Sequence, residues 1–469
     1  MQFNIDIISI NITLISLKKN TSIALAGLTI FALPLFSIAD PAEISGGGNF
    51  TVSSAPSSAK SQFTALSETG AQAIRINVYP YSYYDGQKPL PEKMDQQVLE
   101  TYRAGVKTIV LLFEFDGSYP KHSDAPNQLG DYEKWHSLGQ AYASRFSPNS
   151  AWLKSQGISD WGITIFQAFN EPDGPAPADA LPITGPSSYV TSLKGLADGV
   201  HSIDPALAVI PGGFMPENAF SDHTLRGYGP ALAPSLNDGT LDGIDLHTYN
   251  DIQYAPIVGA DGAVVFNFSP QGAFDAVKKA CHITRDINFY TTEYNFKAHE
   301  QGITEELAAK RLLTCIWANL GVVKNDAKTP ATRLALIWNL FTDAKQDPPD
   351  GLAVRLSPWI PSARARTFQL IMSLTKGMTL IFSDPKGRGE FILEGAGRKL
   401  WVWQNYEHWT DVPDSTFTIN DIPEGTTKLE VIGWDGLRKS IPLSGQHSYT
   451  VTDLKPNETF MFLAVSEKK

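Results

Sequence analysis

The chain has 469 residues, more than one hydrophobic core usually holds, so two domains are expected beyond any targeting segment. Hydrophobic residues make up 42% and charged residues 19%, which excludes a disordered chain. A formal net charge of −11, with no long Lys/Arg cluster to reverse it locally, argues against nucleic acid and anionic membranes as partners.

Lys18 and Lys19 precede an apolar run at 23–36 that ends in Ser37-Ile38-Ala39. A positive flank, a short apolar stretch and small residues at the cut form the layout of an export signal over 1–39. The run is short for a spanning helix, so a secreted or periplasmic chain without a membrane span is expected; an uncleaved anchor is the other reading.

Strands and helices then alternate. Strands are expected at 73–78, 108–115, 162–168, 207–210, 241–246, 288–292 and 334–340, with a weaker first strand between 46 and 52. Helices are expected at 93–105, 132–146, 273–281 and 362–373. Another carries Tyr189, Leu193, Leu196 and Val200 and stops at Asp204-Pro205. One more begins at the cap Thr304, with Glu305 and Glu306 in its first turn. This is an α/β pattern. No glycine-rich dinucleotide fingerprint follows the first strand, so a (β/α)8 TIM barrel over 40–376 fits better than a doubly wound sheet.

After residue 377 the texture changes. Short strands are expected at 378–382, 391–393, 399–404, 415–419, 428–432, 448–451 and 460–465, separated by turns such as Glu394-Gly395 and Asp435-Gly436. That spacing, without helices, predicts an antiparallel β-sandwich domain over 377–469, docked closely because no low-complexity linker precedes it. Trp401 and Trp403 share one face of a strand there and are expected in its core.

A TIM barrel places reactive groups at the C-terminal ends of its strands. Three strand ends carry them. In Phe166-Gln167-Ala168-Phe169-Asn170-Glu171-Pro172-Asp173 a carboxylate closes an apolar strand, and Pro172 is expected to bias Glu171 toward an extended backbone. In Asn288-Phe289-Tyr290-Thr291-Thr292-Glu293 a second carboxylate does the same. Ile244-Asp245-Leu246-His247-Thr248-Tyr249 places His247 and Tyr249 on one side of a strand end. Glu114 and Asp116 end another strand, where they either bind substrate hydroxyls or cap a loop. Two carboxyls at one barrel mouth match glycosidic cleavage: one protonates the leaving oxygen, and the other attacks or stabilises the sugar cation.

Asn170-Glu171-Pro172 and Thr292-Glu293, three strands apart, resemble the clan A glycoside hydrolases, over about three-quarters of the mature chain. Within the clan the order of Glu171-Pro172-Asp173, Pro211-Gly212-Gly213 and 242–249 is most similar to glycoside hydrolase family 39; families 5, 30 and 79 are neighbouring alternatives. Phe169 stands where family 39 usually has tryptophan. The resemblance implies that Glu171 is the acid/base and Glu293 the nucleophile of a retaining hydrolase. It further implies that Asn170 contacts the sugar 2-hydroxyl, that Tyr249 bonds the nucleophile, that Trp338 floors the sugar site and that Arg75 lies near the nucleophile. Structural readings stand beside these: a satisfied core histidine for His247, barrel packing for Trp338 and an ion pair for Arg75.

No zinc, P-loop or serine-elbow string is present, so no metal or organic cofactor is expected. The two cysteines, Cys281 and Cys315, either pair or sit as small buried side chains. The resulting expectation is a monomeric hydrolase of an oligosaccharide or polysaccharide. The alternatives are a carbohydrate-binding protein or an envelope scaffold on the same barrel.

Overall fold

A computed structural model of the chain describes residues 46–50, 66–78, 92–113, 130–173, 186–214, 228–248, 257–258, 264–265, 270–295, 304–326, 329–338, 353–356, 359–384, 389–405, 415–456 and 458–466. The expected export signal, Glu114, Asp116 and Tyr249 lie outside the described residues. Among the described residues no helix is long and apolar enough to cross a membrane.

Eight strands form one parallel sheet: β1 (Gly46–Phe50), β2 (Ala73–Val78), β3 (Thr108–Phe113), β4 (Ile163–Ala168), β5 (Ala208–Pro211), β6 (Gly243–Asp245), β7 (Asn288–Tyr294) and β8 (Thr332–Ile337). Their order is β5-β4-β3-β2-β1-β8-β7-β6. The two end strands also meet. Asp242 N donates to Val209 O at 3.0 Å, Phe214 N to Asp245 O at 3.0 Å, and His247 N to Phe214 O at 2.9 Å.

The described helices are α1 (Glu92–Arg103), α2 (Tyr132–Phe146), α3 (Ala151–Ser155), α4 (Pro186–His201), α5 (Tyr228–Asp238), α6 (Pro270–Ala280), α7 (Glu305–Leu320) and α8 (Ala363–Thr375). Thr304 caps α7 as expected, its hydroxyl accepting from Leu307 N at 3.2 Å. The strands are apolar on both faces because each face meets a core. Ile74, Ile109, Leu111 and Phe166 pack in one cluster with Trp135 of α2, Leu196 of α4 and Trp317 of α7. Their sequence neighbours Ala73, Val110 and Ile165 join Ile210, Tyr290 and Leu334 in a separate cluster on the other face. A strand repeats its facing every two residues, so Arg75, Gln167 and Thr292 stand one layer above that second cluster. All three are buried.

Downstream, β9 (Thr379–Asp384), β10 (Glu390–Gly395), β11 (Arg398–Asn405), β12 (Phe417–Ile419), β13 (Thr426–Gly433), β14 (Gly436–Pro442), β15 (Tyr449–Val451) and β16 (Glu458–Ser466) are antiparallel. Six of them form one sheet, β9-β10-β11-β16-β13-β14, and β12 pairs with β15 in a ribbon. The ribbon covers one face: Trp403 stacks on Phe417 at 4.9 Å, and Trp401 lies in the same cluster. The other face packs on α7, where Trp317 stacks on Phe391 at 6.1 Å and Gln404 Nε2 donates to Thr314 O at 2.9 Å. β14 is a strand that the hydrophobic pattern missed. It is an edge strand whose residues 437–440 are exposed, so it carries no alternation and instead shows the Arg/Lys typical of a protected edge.

Cys281 and Cys315 are buried thiols, so the disulfide reading does not hold. Burial alone pushes the Cys281 thiol up to about 12.

Candidate active site

Glu171 and Glu293 come together at the C-terminal ends of β4 and β7, with His247 between them. One oxygen of each glutamate and one His247 nitrogen all lie within 4.8 Å of one another. His247 Nδ1 is 2.8 Å from Glu171 Oε1 and 3.6 Å from Glu293 Oε2. His247 is buried, but against the two acids rather than against a plain core.

Arg75, only 1% exposed, lies beside Glu293, which is 5% exposed. Its Nη2 donates to Glu293 Oε1, and its Nη1 donates to Thr292 Oγ1 at 2.9 Å and to Asn170 Oδ1 at 3.2 Å. The ion-pair reading and the position beside the second carboxylate are therefore one arrangement. Asn170 Oδ1 is committed to Arg75, so its amide N–H groups are what remain for a ligand. Trp338 follows β8, half-buried, its backbone N–H donating to Tyr294 O at 2.8 Å.

Two backbone irregularities aim the acids. Between Thr291 and Tyr294, β7 runs three steps while β8 runs two, from Ala335 to Ile337. This irregularity lets consecutive residues Thr292 and Glu293 both reach Arg75, which strict alternation would forbid. At the end of β4, Phe169 (φ 62) and Glu171 (φ 45) occupy the left-handed region. The extended backbone expected for Glu171 ahead of Pro172 is thus corrected. Proline disfavours the right-handed helical region, and the turn is completed in the left-handed one, where its neighbours hold it.

Those neighbours include two glycines after β5. A Cβ on Gly212 would stand 1.7 Å from Phe169 O, and one on Gly213 would stand 1.8 Å from His247 Nε2. Tyr189 ties the same two strand ends, accepting from Gly212 N at 2.7 Å and donating to Ala168 O at 3.0 Å. Gly213→Ala is expected to displace the imidazole and break its bond to Glu171. A displacement of about 1 Å costs on the order of 10²-fold in kcat. Steady-state kinetics beside an unchanged circular dichroism spectrum would check this; wild-type rates would show that the ring position is irrelevant.

Beneath the pair, Asp245 of β6 is fully buried and holds Thr292 and Gln167. Burial pushes its carboxyl above the usual range, opposed by His247, the Thr292 bonds and Arg75. Burial pulls the His247 imidazole toward neutrality. The charge of Glu293, the bond to Glu171 and the charge of Asp245 outweigh it and hold the imidazole above the ordinary histidine value. Asp245, Thr292 and Gln167 were not anticipated as site residues. The available signal was parity: Asp245 precedes His247 by two, so both face the same way. The Glu171, His247 and Glu293 spacing would admit an ion, but Arg75 already compensates Glu293, and no metal is assigned to it.

No family model matches the chain, and no curated protein matches it. Solved structures do. A family 39 glycoside hydrolase from Bacteroides cellulosilyticus matches with a TM-score of 0.56 at 17% identity, over 90% of this chain and 81% of that one. A glucosidase from Croceicoccus marinus matches with a TM-score of 0.58 at 13% identity, over 90% and 95%. A family 30 endoxylanase from Clostridium papyrosolvens matches with a TM-score of 0.56 at 13% identity, over 91% and 98%. At these identities the likeness is one of fold, and it agrees with the resemblance to clan A, family 39 included.

Proposed function

We propose that this chain is a retaining glycoside hydrolase, exported after removal of 1–39. It acts on an oligosaccharide or polysaccharide with Glu293 as nucleophile and Glu171 as acid/base. The observation that carries this reading is the approach of the two carboxyls: an oxygen of each lies within 4.8 Å of the other, although their strands, β4 and β7, are not neighbours in the sheet. Retaining enzymes hold their carboxyls about 5–5.5 Å apart, whereas inverting enzymes leave about 6.5–9.5 Å for a water. The bonds between β5 and β6 support a closed (β/α)8 barrel over 40–376, with 377–469 as an accessory β domain.

In the first step Glu293 attacks the anomeric carbon, the glycosidic bond breaks, and Glu171 gives its proton to the leaving oxygen. Arg75 orients Glu293 for this attack through its bond to Oε1. In the second step Glu171 takes a proton from water as that water displaces Glu293. The Asn170 amide N–H groups donate to a substrate hydroxyl.

The test is hydrolysis of a panel of aryl glycosides and polysaccharides, with the anomer of the first-formed product read by proton NMR. Retained configuration is expected. An inverted product would sink the double-displacement mechanism. Silence across the panel, with a sugar-induced thermal shift, would favour a binding protein on the same fold.

A further inference from the structure

Asp245 is a buried acid that the reaction above does not use. Its Oδ1 accepts from Thr292 N at 2.8 Å, and its Oδ2 accepts from Thr292 Oγ1 at 2.6 Å and from Gln167 Nε2. Three donors around one carboxyl describe an acceptor-only carboxylate.

The Thr292 hydroxyl has a single proton, and here it goes to Asp245. Arg75 Nη1, at 2.9 Å, can only donate to that oxygen. His247 Nε2, 3.1 Å from the same oxygen, must then donate as well. We propose that Asp245, acting through Thr292, is a positioning residue that fixes His247 with its proton on Nε2 and turns Nδ1 toward Glu171 to share the catalytic proton. This rests on the reading of Glu171 as the acid. The 2.8 Å bond between Nδ1 and Glu171 Oε1 needs one proton, and that is the only proton of the pair free to move.

Among the described residues, the charged and titratable groups facing this set are Arg75 from β2, Glu171 beyond β4, Asp245 from β6 and Glu293 from β7. Tyr189 and Tyr290 also face it, with their hydroxyls bonded to Ala168 O and Asp242.

Asp245→Asn keeps the shape and reverses the polarity. The new amide donates to Thr292, whose hydroxyl then donates to His247 Nε2, and the ring proton moves to Nδ1. Gln167 can turn over to suit, because its Oε1 is buried without a partner among the described residues. Glu171 then faces a fixed N–H, a bond suited to its ionised form, and is left without the proton it must deliver.

The experiment uses the full chain labelled with ¹⁵N-histidine, with the His247 signals assigned by difference against His247→Gln. Wild type is expected to show the Nε2–H tautomer, and Asp245→Asn the Nδ1–H tautomer. In Asp245→Asn, cleavage of alkyl glycosides should fall on the order of 10²-fold. For dinitrophenyl glycosides, whose first step needs no acid, kcat/KM should fall far less than for alkyl glycosides. Thr292→Ser keeps the wild-type tautomer, and Thr292→Val loses it. An Nδ1–H tautomer in wild type, or an unchanged tautomer in Asp245→Asn, overturns the proposal. Should Glu171→Gln cleave alkyl glycosides as wild type does, the acid assignment fails, and the NMR result still decides the role of Asp245.

Discussion

Glu293→Ala is expected to lower turnover of an aryl glycoside by about 10⁴-fold or more, the scale seen when a covalent nucleophile is removed. Added azide should restore release of the aryl group. The truncated side chain leaves room for a small anion beside the Arg75 guanidinium, which otherwise bonds Glu293. Azide would then attack the anomeric carbon directly, and the glycosyl azide would carry inverted configuration. Glu171→Ala should respond differently. It still forms the glycosyl-enzyme from an activated substrate, and azide then displaces Glu293 to give a retained product. The configuration of the two azides, read by NMR, separates nucleophile from acid/base. If the two variants gave azides of the same configuration, the assignment of distinct roles would be wrong.

Arg75→Met should cost about 3–5 kcal/mol of stability, because it strands a buried carboxylate that the guanidinium now compensates. The side chains of the pair are 1% and 6% exposed, so water cannot take over that role. Urea unfolding would measure the loss. The double variant Arg75→Met/Glu293→Gln should be more stable than Arg75→Met alone, since the stranded charge is gone. Arg75→Lys should not restore activity. One ammonium cannot reach Asn170, Thr292 and Glu293 in the fork that Arg75 uses. Unaltered stability in Arg75→Met would show that the pair is not what holds Glu293 charged.

The parallel strands were legible because burial on both faces leaves a short, continuous apolar run, as at Ala73–Val78. The exposed edge strand β14 was not, because nothing about an exposed edge demands alternation. The C-terminal strands were expected as a sandwich. The structure distributes them as one six-stranded sheet and a ribbon, with α7 against the second face. Local sequence carries the strands; how they partition among sheets depends on partners far along the chain.

At the site, the sequence by itself pointed to residues that the structure gathers: Asn170 and Glu171 after β4, Glu293 at the end of β7, and His247 and Arg75 from other strands. A strand end in a parallel α/β unit has few ways to point, so residue type and position carry that information. Only the tertiary structure decided how they are aimed. The irregularity that turns both Thr292 and Glu293 onto Arg75 exists only in the pairing of β7 with β8. The left-handed backbone at Phe169 and Glu171 is held where Gly212 leaves space for a carbonyl. The polarity running from Asp245 through Thr292 to His247 joins strands that meet only when the sheet is assembled. Each is a relation between residues distant in sequence, set by packing and by the count of protons available to share, and neither quantity is written in any one segment.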